Sequence, residues 1–527
     1  MKLSQLTKNL TVLSPLPLTR GNGRTGKISF KTDPEILSVH SRAQDVQKGG
    51  LFVAVEGFSA DGHDFIEEAQ KNGAVAVITQ KPVQTDILTI CVENTRKALS
   101  EISAEFYGHP SKDLVVIGVT GTNGKTTTVS MIEAMLLCAG YQTGVIGTID
   151  YHYLGKAFPN PNTTPESLNL QRILSEMRAQ DVTHVIMEVS SHAISLSRVD
   201  HCFFDICIFT NLSQDHLDFH KDMESYFFCK KRLFTDFLVN GPKKNRAKAV
   251  INIKDLYGKT LPPDIKVPVI STGNTEGSNI RSDEIVFGIS GISGKIITED
   301  GSFNFQSKAV GSHNLENIMN AAGTGMALGL SSDIIQSGIS AFTSVPGRLE
   351  TVASLSGRSV FVDYAHTPDA LEKVLTVLKP LVNKRLITVF GCGGDRDKKK
   401  RPMMGEISTE LSDLSIITSD NPRTEEPKDI IEDILSGITP KKCLRYFTET
   451  ISSTFIEKGY LVEPDRKTAI RLAVNISTTG DTVIIAGKGH ETYQIIGKKT
   501  YPFDDRIEAL HALEENDRKQ NDHTMGN

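Results

Sequence analysis

Short runs of β-branched and aliphatic residues recur along this chain, and each stops at a cluster of glycine, proline, asparagine or charged residues. Such runs are Leu51–Val55, Ala74–Ile78, Val115–Val119, Gly144–Ile149, His184–Val189, Phe204–Thr210, Ser359–Val362, Arg385–Phe390, Leu414–Thr418 and Asp481–Ala486. Short apolar runs bounded by turn residues fit buried strands, and apolar positions returning every three to four residues between them fit amphipathic helices. Strands alternating with helices predict an α/β protein whose sheets are doubly wound and mostly parallel. In such sheets ligands sit at the carboxyl ends of the strands, so the polar residues that end each run are the first place to look for chemistry.

One run ends in a way that carries chemistry by itself. Val115–Val119 leads into Thr120-Gly121-Thr122-Asn123-Gly124-Lys125-Thr126-Thr127-Thr128, and a helical pattern then runs to Ala139 with Gly140 behind it as a C′ glycine. This reads as strand, phosphate loop, helix. Backbone N–H groups of such a turn converge on one concavity, and the helix N-terminus adds positive potential. Lys125 would reach the outer phosphates and Thr126 would offer a hydroxyl to Mg²⁺. The spacing departs from G-x-x-x-x-G-K-[ST], since Val119 stands where that pattern has glycine. A ligand-free glycine turn is the alternative. The loop points to ATP or GTP and says nothing of what is done with it.

The polar strand ends fall into three blocks. Residues 1–108 form a small N-terminal α/β domain, in which Ser41, Arg42 and His63 could hold a ligand or be ordinary surface and capping residues. Residues 109–345 form the central domain with the phosphate loop. Glu188 there stands in an otherwise apolar strand, where an unpaired carboxylate would be costly. Glu188 and His216 would lie at the same sheet edge as Gly121. Lys230 and Lys231, on a helix expected from Glu224 to Phe237, read from the pattern alone as a solvated face. Residues 346–527 form a C-terminal Rossmann-like α/β domain, whose strand-end loops carry Arg396, Arg423 and Lys488 beside Asp420 and Glu491. That mixture suits a zwitterionic small molecule. The Lys398–Arg401 run reads as solvated, and the polar tail after Glu514 as disordered.

Composition narrows the partners. Of 527 residues, 39% are apolar and 23% charged, with a net charge of −5, so no basic field argues for nucleic acid or a membrane surface. Seven cysteines without a C-x-x-C pair favour reduced, buried thiols and a cytoplasmic location. No apolar stretch approaches the ~18 residues of a membrane span, and Met1–Leu10 lacks a signal-peptide core.

Taken together, Thr120-Gly-Thr-Asn-Gly-Lys-Thr-Thr, Glu188-Val-Ser-Ser-His192, Asn211-Leu-Ser-Gln-Asp-His216, Gly311-Ser-His-Asn-Leu-Glu-Asn317, Pro346-Gly-Arg348 and Asp363-Tyr-Ala-His-Thr-Pro-Asp369 resemble the Mur ligase family, in the family's order. The resemblance implies a three-domain enzyme forming an amide bond through an acyl phosphate, with ATP and Mg²⁺. It implies that Gly121, Thr122, Asn123, Gly124, Lys125, Thr126, Thr127, Asn317, Arg348, Asp363 and His366 contact ATP. Thr126, Glu188, His216 and a carbamylated Lys230 would hold Mg²⁺, with Lys125, Lys230, Glu188 and His216 as the catalytic set. Ser41, Thr163, Thr164, Ser190 and Arg198 would contact a UDP-muramyl dipeptide. The Ser41-Arg42 and Leu51–Ala54 stretches resemble the subgroup that adds the third peptide residue. Arg396, Asp420, Asn421, Pro422, Arg423, Gly487 and Glu491 would form the pocket for meso-diaminopimelate, because lysine-adding relatives lack the arginine at Arg423. Lys254 and Leu196 depart from residues common in relatives. The runner-up readings are the L-lysine-adding ligase and a folylpolyglutamate synthase-like ligase; a phosphotransferase or a nucleotide switch would leave the C-terminal pocket or Glu188 and His216 unexplained. No nucleic acid or membrane partner is expected, and the chain is expected to act as a monomer.

Overall fold

The computed structural model describes residues 1–15, 33–58, 60–355, 357–439 and 443–525. Each apolar run named above is a strand in it. The backbone divides into two units: Met1–Asp283 with Lys295–Phe303 and Glu316–Ala341, and Glu284–Gly294 with Asn304–Leu315 and Phe342–Asn527.

The first unit contains two sheets. The N-terminal one has five strands in the order Val12–Pro15, Leu88–Val92, Ala74–Thr79, Gly50–Val53, Ser38–His40. All its pairings are parallel except that of Val12–Pro15 at the edge. Leu51, Val53, Ile78 and Ile90 pack there against Leu99 and Ile102 of the helix Thr95–Phe106. His63 is engaged by the protein at both ring nitrogens. Its Nε2 accepts from Gln80 N–H at 2.9 Å and its Nδ1 sits 2.6 Å from Asp61, which caps the turn Gly62–Phe65.

The second sheet has eight strands in the order Val269–Thr272, Lys248–Asn252, Ile206–Phe209, Val115–Thr120, His184–Glu188, Thr143–Ile146, Asp150–Tyr153, Lys156–Pro159. The first six pair in parallel, and the last two form an antiparallel hairpin at the edge. His184–Glu188 and Ile206–Phe209 are buried along their whole length, as strands covered on both faces are. Register sets Glu188 opposite Val119 and Phe209 opposite Thr120, so both neighbours end level with the phosphate loop.

An ion-pair clamp joins the edge hairpin to the helix behind that loop. His152 places Nδ1 2.7 Å from Asp150 and Nε2 3.1 Å from Glu133, a residue of the helix Lys125–Cys138. Burial alone would lower the imidazole pKa; the hydrogen bonds to Asp150 and Glu133 outweigh it and raise the value to about 10. A raised folded-state value means the stabilisation is complete below the ordinary histidine value and lost as pH climbs from there through about 10. His152→Gln is therefore expected to lower the melting temperature at pH 7 and to match wild type once pH exceeds that range. A gap unchanged at pH 11 would contradict the clamp.

The second unit holds a seven-stranded sheet in the order Glu350–Leu355, Arg358–Asp363, Thr482–Ala486, Leu386–Phe390, Leu414–Ile417, Gly459–Val462, Leu444–Arg445, parallel apart from the first pair. Helices bury apolar side chains on both of its faces. A separate two-stranded hairpin, Tyr493–Ile496 with Lys499–Pro502, was not anticipated by the pattern.

Several expectations fail here for definite reasons. Arg401 is not solvated: it is fully buried, bidentate to Glu425 at 2.8 and 3.0 Å and 2.8 Å from Asp433. The tail is helical, Asp505–Met525. Ala509, Ala512 and Leu513 nucleate that helix by packing on the sheet, and Arg471 pairs with Glu515 at 3.1 Å, so extension through polar residues adds little cost. The helix carrying Lys230 is α-helical over Met223–Arg232, capped by Asp222, and widens to a π-turn at Leu233–Phe237. All cysteines are free, and Cys138 is exposed rather than buried. No helix among the described residues is long and apolar enough to cross a membrane.

Candidate active site

The phosphate loop is held open by its neighbour strand. Thr122 N–H donates to Asn211 O at 2.9 Å, Asn123 N–H to Asn211 Oδ1 at 3.0 Å, and Thr210 Oγ1 to Asn123 O at 2.7 Å. Gly121 has φ +148° and Gly124 φ +80°; a Cβ would run into Thr210 Oγ1 at the first and Asn317 Oδ1 at the second. Lys125 folds back to donate to Gly121 O at 3.1 Å and Thr122 O at 2.9 Å. Thr127 follows in the first turn of the helix that Gly124 caps. Gly121→Ala is expected to weaken nucleotide binding by at least about fivefold, because a strained φ and a side-chain clash together cost about 1–3 kcal/mol. Calorimetric titration with ADP checks this; unchanged affinity would show that the loop does not need this shape.

Glu188 is buried and its carboxyl group is hydrogen-bonded at both oxygens. Oε1 accepts from Thr126 Oγ1 at 2.9 Å and Thr148 N at 2.9 Å, and Oε2 accepts from Thr148 Oγ1 at 3.0 Å. Thr148 was not singled out in the sequence, since it reads there as one more β-branched residue of the run Gly144–Ile149, whereas the strand ends at Ile146. The predicted substrate contacts gather at the same edge. Thr163 Oγ1 lies 3.1 Å from Thr148 Oγ1, Thr164 Oγ1 donates to Glu188 O at 2.8 Å, and Ser190 N–H donates to Thr164 Oγ1 at 3.1 Å. Arg198 donates to Thr164 O at 3.0 Å and pairs with Glu166 at 2.7 Å. Ser41 lines a cavity of about 310 Å³ with Arg42, Arg96 and the same Glu166 that pairs with Arg198.

Lys230 overturns the solvated-face reading. It is buried, donates to Gly121 O at 2.8 Å, and lies 4.7 Å from the Tyr226 ring centre. Burial, with the charge of Lys125 nearby, pushes its amine well below the ordinary lysine value. His216 adopts φ +52° and meets His192 edge to face at 4.9 Å. His192 stacks on Phe219 at 4.1 Å, and His220 Nε2 lies 2.9 Å from Ser191 Oγ. Burial and the neighbouring His192 and Lys230 lower the His220 value to about 4. Among the described residues no three His, Cys, Asp or Glu side chains are grouped to hold a metal. Glu188 and Thr126, oxygen to oxygen at 2.9 Å, still suit Mg²⁺, which takes one or two protein oxygens and completes its shell with phosphates and water.

All but one of the remaining predicted residues belong to the second unit. Asp363 is buried, and its carboxylate accepts Leu349 N–H at 2.7 Å and Ala365 N–H at 2.8 Å. Burial raises its value. It ties the Pro346–Arg348 turn to its own loop, a role the motif did not disclose. Arg348 lies 5.5 Å over the Tyr364 ring, and His366 Nδ1 is 2.8 Å from Tyr364 O. Asn317, by contrast, is in the first unit, where Thr128 Oγ1 donates to its Oδ1 at 3.3 Å.

The residues expected to receive the acceptor lie on neighbouring loops. Gly487, at φ +121°, leaves no room for a Cβ, which would stand 2.6 Å from Asp420 Oδ2. Asn421 Nδ2 donates to Glu491 Oε2 at 2.9 Å, so this amide serves the protein. Arg423, half-buried beyond Pro422, donates to Gly394 O at 2.9 Å. Arg396 is exposed on the neighbouring loop and donates to Asp395 O in its own turn. Lys488 is completely buried, donates to Asn421 Oδ1 at 2.9 Å and lies 3.5 Å from Glu491.

Comparison with known proteins finds relatives along most of the chain. Residues 35–107 match the model of the Mur ligase family catalytic domain, 119–325 the Mur ligase middle domain, and 347–489 the Mur ligase glutamate ligase domain. The UDP-N-acetylmuramoyl-L-alanyl-D-glutamate–2,6-diaminopimelate ligase of Geobacter metallireducens is 47% identical over 483 residues, 91% of this chain and 94% of that protein. The enzyme of the same name from Geobacillus kaustophilus is 41% identical over 509 residues, 96% of this chain and 99% of that protein. A solved structure of a ligase with that name is similar with a TM-score of 0.70 at 29% identity, covering 93% of this chain and 97% of that one.

Proposed function

Since this chain belongs to the Mur ligase family, we propose that it joins meso-2,6-diaminopimelate to UDP-N-acetylmuramoyl-L-alanyl-D-glutamate at the expense of ATP, in peptidoglycan precursor synthesis. The observation that carries the reading is the acceptor cluster. A cation at Arg423 and an anion at Glu491 stand on loops tied together through Asn421 and Lys488, which suits an acceptor bearing both a second carboxylate and an ammonium. L-Lysine offers no carboxylate at the Arg423 end, and a folate-type ligase would have no use for that arginine.

A carboxylate is a poor electrophile, and phosphorylation supplies its leaving group. The substrate carboxylate oxygen takes the γ-phosphoryl group and ADP departs. The acceptor amine then attacks the acyl carbon, phosphate leaves, and the amine loses a proton. Lys125 and the loop N–H groups orient the phosphates and offset their charge, which matters most where two anions must meet. Thr126, Glu188, His216 and Lys230 as a carbamate would hold Mg²⁺, which when bound neutralises phosphate charge. A buried amine held below its ordinary value is nucleophilic toward CO₂, and the carbamate replaces an ammonium with an anionic oxygen donor. Ser41, in its cavity, with Thr163, Thr164, Ser190 and Arg198, would receive the UDP-dipeptide.

Phosphate release from ATP by the purified protein tests the reading. Release that requires both the UDP-muramyl dipeptide and meso-diaminopimelate is expected; release that proceeds without an amine acceptor would refute ligation.

A further inference from the structure

The loop Asp420–Arg423 does not hold its own shape. Arg423 sits at φ +53°, a conformation that an arginine keeps only when its surroundings impose it. What imposes it is the hairpin Tyr493–Pro502. Arg423 N–H donates to Ile495 O at 3.1 Å and Gly497 N–H donates back to Arg423 O at 2.6 Å. One residue earlier in the hairpin, Gln494 Nε2 donates to Asp420 O at 2.7 Å, and Ile495 N–H donates to Asn421 Oδ1 at 2.9 Å. The hairpin has little core of its own: Tyr493, Ile496 and Tyr501 are exposed. Two short strands are marginal alone, so these bonds to the loop hold the hairpin as much as they hold the loop.

Lys488 completes the arrangement from below. Its buried ammonium reaches Asn421 Oδ1 and Glu491 together, while Asn421 Nδ2 takes the same Glu491 oxygen. Glu491 Oε1 receives no hydrogen bond among the described residues, which leaves that oxygen to face a ligand. We infer that Gln494 on the hairpin and the buried Lys488 are positioning residues for acceptor selection, fixing where the Arg423 cation and the Glu491 anion stand relative to each other. The inference rests on the acceptor reading above and adds to it residues that would touch no substrate.

Steady-state kinetics of Gln494→Glu and Lys488→Met against wild type test it. Gln494→Glu keeps size and half-exposure but turns a donor into an acceptor facing Asp420 O. The Michaelis constant for meso-diaminopimelate is expected to rise about tenfold in Gln494→Glu, where one well-made hydrogen bond is lost, and by at least that much in Lys488→Met, which also removes the cation beside Glu491. Turnover at saturating acceptor and the Michaelis constant for the UDP-dipeptide should stay within about twofold of wild type, a split that general destabilisation would not produce. The preference for meso-diaminopimelate over L-lysine should narrow. Unchanged acceptor constants in both variants, with wild type fully active on meso-diaminopimelate, would overturn the inference alone. All constants worsening together with the melting temperature would also overturn it, by reducing both residues to a structural role. Wild type inactive with meso-diaminopimelate would instead bring down the functional reading, and the inference with it.

Discussion

Lys230→Ala is expected to lower turnover by a factor on the order of 10²–10³, the usual cost of removing one preorganised electrostatic group at a reacting centre. The argument starts from burial. A lysine that reaches Gly121 O from inside the protein, with Lys125 close by, cannot comfortably keep its proton. As an ammonium it would repel Mg²⁺; as a carbamate it would supply an anionic oxygen ligand beside the phosphate loop, where its amine already meets Gly121 O. Partial recovery of the alanine variant by added short carboxylic acids is expected, since an acid can occupy the space left and restore the anion. The melting temperature separates this from unfolding. A stable variant with full activity would remove Lys230 from the mechanism.

Arg423→Ala is expected to raise the Michaelis constant for meso-diaminopimelate at least about thirty-fold, corresponding to about 2 kcal/mol for one side of a partly desolvated, hydrogen-bonded charge pair. The constant for the UDP-dipeptide should stay near its starting value. The effect should be larger than that of Gln494→Glu, because the first removes the cation and the second only loosens its seat. Equal losses for both substrates would refute the assignment of Arg423 to the acceptor.

How far these sites could be read without coordinates depended on whether a residue's local pattern matched its environment. Glu188 was legible because a carboxylate inside an apolar strand contradicts its surroundings, and the structure resolves the contradiction with Thr126 and Thr148. Lys230 and Arg401 were not legible from pattern. Each sits in a charged run that looks solvated, and each is buried by contacts from residues far away in sequence, Gly121 for one and Glu425 for the other. Only the resemblance singled out Lys230. The parallel strands were plain because both of their faces are buried, leaving uninterrupted apolar runs. The hairpin Tyr493–Pro502 was invisible for the opposite reason: it is short and largely exposed, and its own pairing and its hold on Arg423 are backbone bonds that no side-chain pattern records. Asn421 and Asp363 show a subtler loss. Both were assigned to ligands by motif, and both spend hydrogen-bonding capacity on the protein, Asn421 on Glu491 and Asp363 on Leu349 and Ala365.

The central claim is that the acceptor is chosen by a cation placed to meet a second carboxylate. Side-by-side turnover with meso-diaminopimelate and with L-lysine, at equal concentrations and saturating ATP and UDP-muramyl dipeptide, tests it most directly. The expected result is a kcat/KM for meso-diaminopimelate at least about thirty-fold above that for L-lysine, collapsing toward parity in Arg423→Ala. Equal use of the two amino acids by the wild-type protein would contradict the account.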